Sequence, residues 1–334
     1  MSNAKHRILV VGVGSIGERH TRCFLATGRA EVGICESVVE RRDAVAQQYE
    51  VAGAYGSLDE ALAEPWGAVL VATPAHTHVA VALEVARRGI NLLIEKPLST
   101  SLDGIEALQA LVREKGLIAA VGYQYRAHPG VRSMKEALDS GRFGKPLQVY
   151  GSIGQHFPFY RPAYRDVYFA RREHGGGAIQ DAITHLLNLA EFLAGPITRL
   201  AVDADHQALE GVTVEDTVNV IARHGDVMAN YTLNMYQHPN ETQITVVCER
   251  GTLRFDLQQK RWRAMTEPEG TWEDHVYELK DRDSWYVAHA DAYLDVLEGK
   301  AKLLCPLEDG IQTLRVNLAA LKSAETQTWQ RVGS

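Results

Sequence analysis

The chain has 334 residues, 46% hydrophobic and 23% charged, the profile of a globular protein with about two domains. Its 35 basic and 42 acidic residues leave a net charge of −7, which argues against nucleic acid or an acidic membrane surface as the main partner. No stretch reaches about 18 apolar residues without a charge, so no membrane span is expected, and a chain of this length needs no disulfide or metal staple.

The four cysteines, Cys23, Cys35, Cys248 and Cys305, are far apart and form no C-x-x-C, as expected of reduced thiols in a cytoplasmic protein. The apolar run Ile8 to Val13 is too short for a signal peptide and leads into glycines, and Ser2-Asn3-Ala4 reads as an expression scar.

In chain order, Ile8-Leu9-Val10-Val11 is an aliphatic run that stops at Gly12 and reads as a buried strand. Helical spacing follows from Gly17 to Thr27. A second strand, Val32 to Cys35, precedes a charged helix from Val38 to about Tyr49. Val69 to Ala72 is another buried run, broken by Pro74 and followed by a helix ending near Gly89. Leu92 to Ile94 and Ile118 to Val121 are two further strands, separated by a helix around Ile105 to Lys115. Strand and helix alternating at this tempo require parallel pairing through crossover helices. The expected architecture over residues 5–125 is a doubly wound α/β domain.

Beyond Arg126 the rhythm changes. Val218 to Ala222, Val227 to Met235, Thr242 to Cys248 and Leu253 to Leu257 are joined by short turns, and Ala229 to Met235 alternates apolar with polar residues. Helical patterns lie at Val131 to Ser140, Ala178 to Ala194, Trp285 to Glu298 and Leu307 to about Thr328. Residues 126–334 are therefore expected to form an α+β domain on a mostly antiparallel open sheet.

Gly12-Val13-Gly14-Ser15-Ile16-Gly17 is a G-x-G-x-x-G set between the first strand and the first helix. Gly12 permits the tight turn, Gly14 lets backbone approach a pyrophosphate, and Gly17 lets the helix pack on the strand. The N–H groups opening the helix, from Gly14, Ser15 and Ile16 onward, are the expected phosphate contacts. Glu36 ends the second strand, 19 residues after Gly17, where a carboxylate accepts from both adenine-ribose hydroxyls and repels a 2′-phosphate. NAD is thereby favoured over NADP. Arg41 and Arg42, on the next helix, are within reach of a 2′-phosphate, but a solvated helix face is the favoured reading.

Ile94-Glu95-Lys96-Pro97 after a strand, with Ala72-Thr73-Pro74-Ala75-His76-Thr77-His78 and a later D-x-x-x-H at Asp181 and His185, resembles the Gfo/Idh/MocA oxidoreductases. The stretches Tyr293-Leu294-Asp295 and Glu308-Asp309-Gly310 resemble them as well. The resemblance implies a catalytic set of Lys96, Asp181 and His185, with His185 as proton acceptor and Lys96 as electrostatic partner. It also places His78, Glu95 and Lys96 beside the cofactor, with a structural histidine capping the next helix the equal alternative for His78, and implies that no metal is needed; Thr73 and Pro74 lie where a cofactor crosses the edge of such a sheet. Two departures stand out: Asn188 where many members carry Asp, and Glu36 where many carry Asp.

The chemistry suits those residue types. An alcohol oxidation sends a hydride to nicotinamide while a base takes the hydroxyl proton, and imidazole, with a reference pKa near 6.5, suits that task. Asp181 lies four residues before His185, on the same helix face, where it orients the imidazole or contacts the substrate hydroxyl. Tyr125 and Arg126, at the domain junction, are expected to touch substrate or cofactor. The segment from His156 to Arg165 carries aromatics for a sugar face and arginines for an anion, and His156, Tyr164 and Arg165 are its candidate contacts. The expected substrate is a sugar, sugar acid, sugar nucleotide or inositol, and the expected assembly a homodimer or homotetramer. An NAD-dependent glycoside hydrolase and a cofactor-sensing regulator are the competing readings on the same scaffold.

Overall fold

A computed structural model describes residues 5–281 and 283–333; the reading of Ser2-Asn3-Ala4 lies outside the described residues. The chain divides into two compact units. One runs to Ala127 and takes in Lys280–Ile311; the other comprises His128–Leu279 and the residues from Gln312 onward.

The first unit runs β1 (His6–Val11), α1 (Ser15–Ala26), β2 (Ala30–Cys35), α2 (Val39–Gln48), β3 (Gly53–Tyr55), α3 (Leu58–Ala61), β4 (Ala68–Val71), α4 (His78–Arg87), β5 (Asn91–Ile94), α5 (Ile105–Lys115) and β6 (Ala119–Val121). All six strands are parallel, in the order β3-β2-β1-β4-β5-β6. Ile8, Leu9 and Val10 of β1, Val69 and Leu70 of β4 and Leu92 and Leu93 of β5 are buried whichever way they point, as a sheet covered on both faces requires. Chain order reverses beside β1, so the loops after β1 and β4 open side by side at the strands' carboxyl ends, where such sheets bind ligands. Gly116, at φ +62°, takes the left-handed conformation that stops α5.

The second unit contributes α6 (Pro129–Asp139), β7 (Pro146–Gly154), α7 (Phe157–Tyr160), α8 (Thr184–Ala194), β8 (Arg199–Asp205), β9 (Thr217–His224), β10 (Val227–Asn234), β11 (Glu241–Cys248), β12 (Gly251–Asp256), β13 (Arg261–Met265) and β14 (Glu273–Val276). Their sheet has the order β14-β13-β12-β11-β7-β10-β9-β8-β15, where β15 is Gln330–Arg331. Every pairing is antiparallel except that of β7 with β10. In β10 Ala229, Tyr231 and Leu233 are buried, and the residues between them are not. Gly151 of β7 has to be glycine: a Cβ there would lie 2.8 Å from the Gln243 carbonyl and 3.0 Å from Leu186 of α8, the helix packed on the sheet.

A single division at residue 125/126 is not what the structure adopts. The helix α9 (Asp283–Leu297) returns to the first unit and places Ala290, Tyr293 and Leu294 in its core beside Ile8, Val10 and Phe24. Polar contacts fix the same helix from its exposed side. Arg22 holds Asp283 at 2.6 and 3.0 Å, and Arg29 meets Asp291, Asp295 and Glu298 at 3.0, 2.8 and 2.8 Å. The last helix, α10, spans Leu307–Thr326.

Two buried histidines set an acid limit on stability. His128 caps α6 through Nδ1, 3.2 Å from the Gly130 amide, with its ring edge-on to Phe255 and Tyr277. Burial pushes its pKa down to about 3. His289 on α9 is pushed down to about 4, by burial first and the His20 charge second. Both values lie below the ordinary 6.5, so the unfolded chain binds more protons in acid. Their contribution is complete above that ordinary value and lost as pH falls towards the folded values. The melting temperature should therefore drop as pH falls below an imidazole's ordinary value, and His128→Asn, which keeps a cap acceptor but cannot titrate, should drop less steeply. Equal steepness in the two proteins would contradict this.

Candidate active site

The three motif glycines do different work. Gly12 sits at φ +84°, and a Cβ there would lie 2.9 Å from the Ala72 carbonyl. A Cβ on Gly17 would fall 1.8 Å from the Gly12 carbonyl oxygen, so this glycine exists for packing. A Cβ on Gly14 would meet nothing within 4 Å, and as the N-cap of α1 this residue offers no side-chain cap. The N–H groups opening α1 at Ser15 and Ile16 thus face an open cradle with a partial positive charge, which fits a dinucleotide pyrophosphate. Gly14→Ala should leave the melting temperature unchanged and weaken NAD binding roughly tenfold or more, about 1.4 kcal/mol. Gly17→Ala should instead destabilise the fold by at least about 1–3 kcal/mol through overpacking. Calorimetric titration with NAD and thermal melts separate the two; matching behaviour would contradict the assignment.

Glu36 is 7% exposed at the end of β2. Its Oε2 accepts from the Val13 amide at 3.1 Å and its Oε1 from the Val38 amide at 3.0 Å. Burial pushes its pKa up, but those two amides and the Arg41 guanidinium outweigh it and hold the carboxyl below its ordinary value. Arg41 therefore does more than solvate a helix face: it reaches the Glu36 carboxylate at 3.3 Å. The ionised carboxylate keeps accepting capacity on Oε1 for a ribose hydroxyl.

Thr73 and Pro74 follow β4 at the same edge. The Thr77 hydroxyl donates to Thr73 Oγ1 at 2.7 Å. His78 is buried, with Nε2 2.7 Å from the Thr73 carbonyl and Nδ1 3.0 Å from the Pro97 carbonyl. Burial pushes its pKa below the ordinary value, so a neutral ring donates to one carbonyl at a time. His78 thus ties the loop after β4 to the loop after β5, and its ring nitrogens are spent there rather than on a cofactor. Lys96, half-buried, follows β5 and precedes a cis bond to Pro97. Glu95, expected beside the nicotinamide, is only 4% exposed, and its oxygens are engaged inward by His20 at 2.6 Å and the Lys96 amide at 3.0 Å.

In the second unit a π-helical segment, Ala178–Ile183, carries Asp181 and runs directly into α8, which carries His185. Such segments recur at functional sites. Gly176 and Gly177 lead into it because neither place admits a side chain. A Cβ on Gly176 would lie 2.3 Å from the Phe169 carbonyl, and one on Gly177 would lie 2.5 Å from Glu215 Oε1. Glu215 anchors this start: its carboxylate accepts from the Ile179 amide at 3.0 Å, and Arg172 donates to it at 2.6 Å. Asp181 Oδ1 accepts from the Tyr168 hydroxyl at 2.6 Å. Asn188 donates to Thr313 at 2.9 Å, and Thr313 donates to Glu191 at 2.7 Å, so the amide is absorbed in a buried network behind the helix.

The candidate substrate contacts divide. Arg165 is exposed and lines a cavity of about 370 Å³ with Asp166, Val167, Tyr168, Arg171 and His174. His156 is half-buried, its ring 5.1 Å from that of His238. Tyr164 is not open to a ligand. It is 2% exposed, packs with Phe157 and Phe169, and donates its hydroxyl to the Glu210 carbonyl at 2.7 Å. Arg126 is likewise buried at 3% exposed, donates to the Leu304 carbonyl at 2.9 Å and pairs with Asp309, so it fastens its own unit. Tyr125 packs its ring 5.4 Å from Trp285. Tyr168, Glu215 and His20 contact Asp181, the Ile179 amide and Glu95, and no sequence motif announced them.

Comparison with known proteins fits this geometry. Residues 6–123 match the family model described as oxidoreductase family, NAD-binding Rossmann fold, and residues 131–254 match the GFO/IDH/MocA C-terminal domain. The chain belongs to the GFO/IDH/MocA oxidoreductase family. As a member it is an NAD-dependent oxidoreductase. It is 27% identical to 1,5-anhydro-D-fructose reductase of Ensifer adhaerens over 90% of each chain. It is 25% identical to UDP-N-acetylglucosamine 3-dehydrogenase of Acidithiobacillus ferrooxidans over 94% of each. In fold it is similar to a levoglucosan dehydrogenase solved with NADH and levoglucosan, with a TM-score of 0.89, 18% identity and 99% and 100% of the two chains covered.

Proposed function

We propose that this protein moves a hydride between NAD and a hydroxyl-bearing carbon of a polyhydroxylated substrate, a sugar, sugar acid, sugar nucleotide or inositol. The first unit holds the cofactor and the second the substrate. The observation that carries the reading is the open, uncapped start of α1 at Gly14, in a sheet whose β5 leads into Lys96. Gly14, Ser15 and Ile16 would hold the pyrophosphate, Glu36 the adenine ribose, and Thr73 and Pro74 the edge that the cofactor crosses. Bound there, NAD supplies the hydride acceptor.

The protein's own groups handle the proton and the charge. Lys96 donates to the alcohol oxygen and stabilises its developing negative charge. His185 takes the hydroxyl proton in oxidation and returns it in reduction. Asp181, held by Tyr168, orients the substrate hydroxyl or the imidazole. The relatives' names give anhydrofructose, UDP-N-acetylglucosamine and, for a Rhizobium meliloti protein 24% identical over 95% of this chain, inositol, all rich in hydroxyls. Those names describe oxidation or reduction, which favours net redox over glycoside hydrolysis or cofactor sensing.

Absorbance of reduced nicotinamide across a panel of sugars, uronic acids, nucleotide sugars and inositols tests the proposal, with NAD and NADP run side by side. Turnover of at least one member, faster with NAD, is expected. Silence across the panel with NAD bound would overturn it.

Among the described residues no helix is long and apolar enough to cross a membrane, and the four cysteines are buried thiols outside any disulfide. Both features support a cytoplasmic setting. A homodimer or homotetramer would use the open face of the large sheet, where Ile221 and Met228 stand exposed among Asn219, Arg223 and Asn230. A monomer by light scattering would refute that.

A further inference from the structure

We propose that His20 is a positioning residue for Lys96. Its ring clamps one oxygen of the buried Glu95 carboxylate, whose other oxygen fixes the Lys96 backbone amide. The inference rests on the redox function proposed for Lys96.

The contact is built, not incidental. His20 Nε2 lies 2.6 Å from Glu95 Oε1, and the two side chains are 1% and 6% exposed. Glu95 Oε2 accepts the Lys96 N–H at 3.0 Å. Room for the carboxylate comes from Gly122, where a Cβ would lie 2.8 Å from Oε1. The imidazole is held in turn by α9, with Tyr286 edge-on at 5.5 Å and His289 at 6.3 Å between ring centroids.

A buried carboxylate without a partner is costly and would rather protonate. Burial does push Glu95 up, but the His20 hydrogen bond and charge, then Lys96, more than reverse this and hold it below its ordinary value. Other titratable or charged groups pack around the pair. From α4 comes His78, and from α9 Tyr286 and His289, with Arg19 beyond Tyr286. Arg19 is spent on Asp283 at 3.1 Å and on the Tyr286 ring, and burial keeps His289 and His78 neutral. His20 is therefore the group that compensates Glu95 from the interior. A helix otherwise assigned to the cofactor's phosphates thus also governs the backbone that carries the catalytic ammonium.

The test compares His20→Leu and His20→Gln, the second keeping a donor near Nε2. With the best substrate of the panel, His20→Leu should lose roughly 10- to 100-fold in kcat, as small misplacements do, with KM and NAD affinity little changed. Its pH profile should gain a second acid limb beside that of His185, because Glu95 protonates more readily, and His20→Gln should recover part of both effects. Amide exchange at Lys96 should also accelerate in His20→Leu, a readout that needs no substrate. Unchanged kcat, pH profile and Lys96 exchange in folded His20→Leu would overturn the proposal. Should His20→Leu fail to fold, His20→Phe, which keeps a ring but no donor, is read in the same way, and a match to the parent in all three would overturn the proposal. If the parent turns over nothing, the redox reading fails, and Lys96 exchange still decides the positioning role.

Discussion

Replacing Lys96 by methionine should leave NAD affinity and melting temperature near those of the parent while slowing hydride transfer by about 10²–10³-fold. Methionine keeps length and apolar volume but removes the ammonium. The charge it balances exists on oxygen only as the proton departs, so the loss should fall on kcat and not on KM. Lys96 is half-buried, so a cation there acts with less screening than on an open surface. Pre-steady-state absorbance with saturating substrate is the measurement. An unchanged rate would assign Lys96 a structural role at the end of β5.

His185→Asn should cost about 10²–10⁴-fold in kcat, the range of a lost general base. Its signature lies in pH dependence. In the parent, the rate of alcohol oxidation should rise with pH as imidazole becomes free to accept a proton. In the variant that limb should vanish, and the deficit should shrink in alkali as solvent base takes over. A variant retaining the parent's limb would move the base to another residue, with Asp181 the first to try because it shares the helix. Circular dichroism controls for the fold, since the helix is anchored independently by Glu215 at its start.

Much of this architecture is legible in the sequence because burial on both faces writes continuous aliphatic runs. Ile8 to Val11 and Leu92 to Ile94 could hardly be anything but parallel strands. The central strand of the second sheet, β7, was missed because Leu147-Gln148-Val149-Tyr150-Gly151-Ser152 neither runs apolar nor alternates cleanly. The edge strand β3 is three residues long and too short to carry a pattern. The placement of α9 was hidden for another reason. Its amphipathic pattern shows that it packs, not on what, and the partners Arg22 and Arg29 lie more than 250 residues away.

The site follows the same logic. Gly12, Gly14, Gly17, Glu36 and Lys96 stand within local motifs whose chemistry needs a fixed spacing. Tyr164 and Tyr168 cannot be told apart in sequence, yet one is sealed in an aromatic cluster and the other reaches Asp181. Arg126 looked free for a substrate because its partner Asp309 is 183 residues away. Glu95 belonged to the right motif for a different reason, since its partner His20 is 75 residues earlier.

The central proposal is that Lys96 and His185 serve one and the same hydride transfer. A double-variant cycle on single-turnover hydride transfer measures it, using Lys96→Met, His185→Asn and the pair. Groups serving one transition state are far from additive, so the double variant should be little slower than the worse single one. Losses that multiply in full would mean that the two side chains serve separate steps, and would contradict the claim.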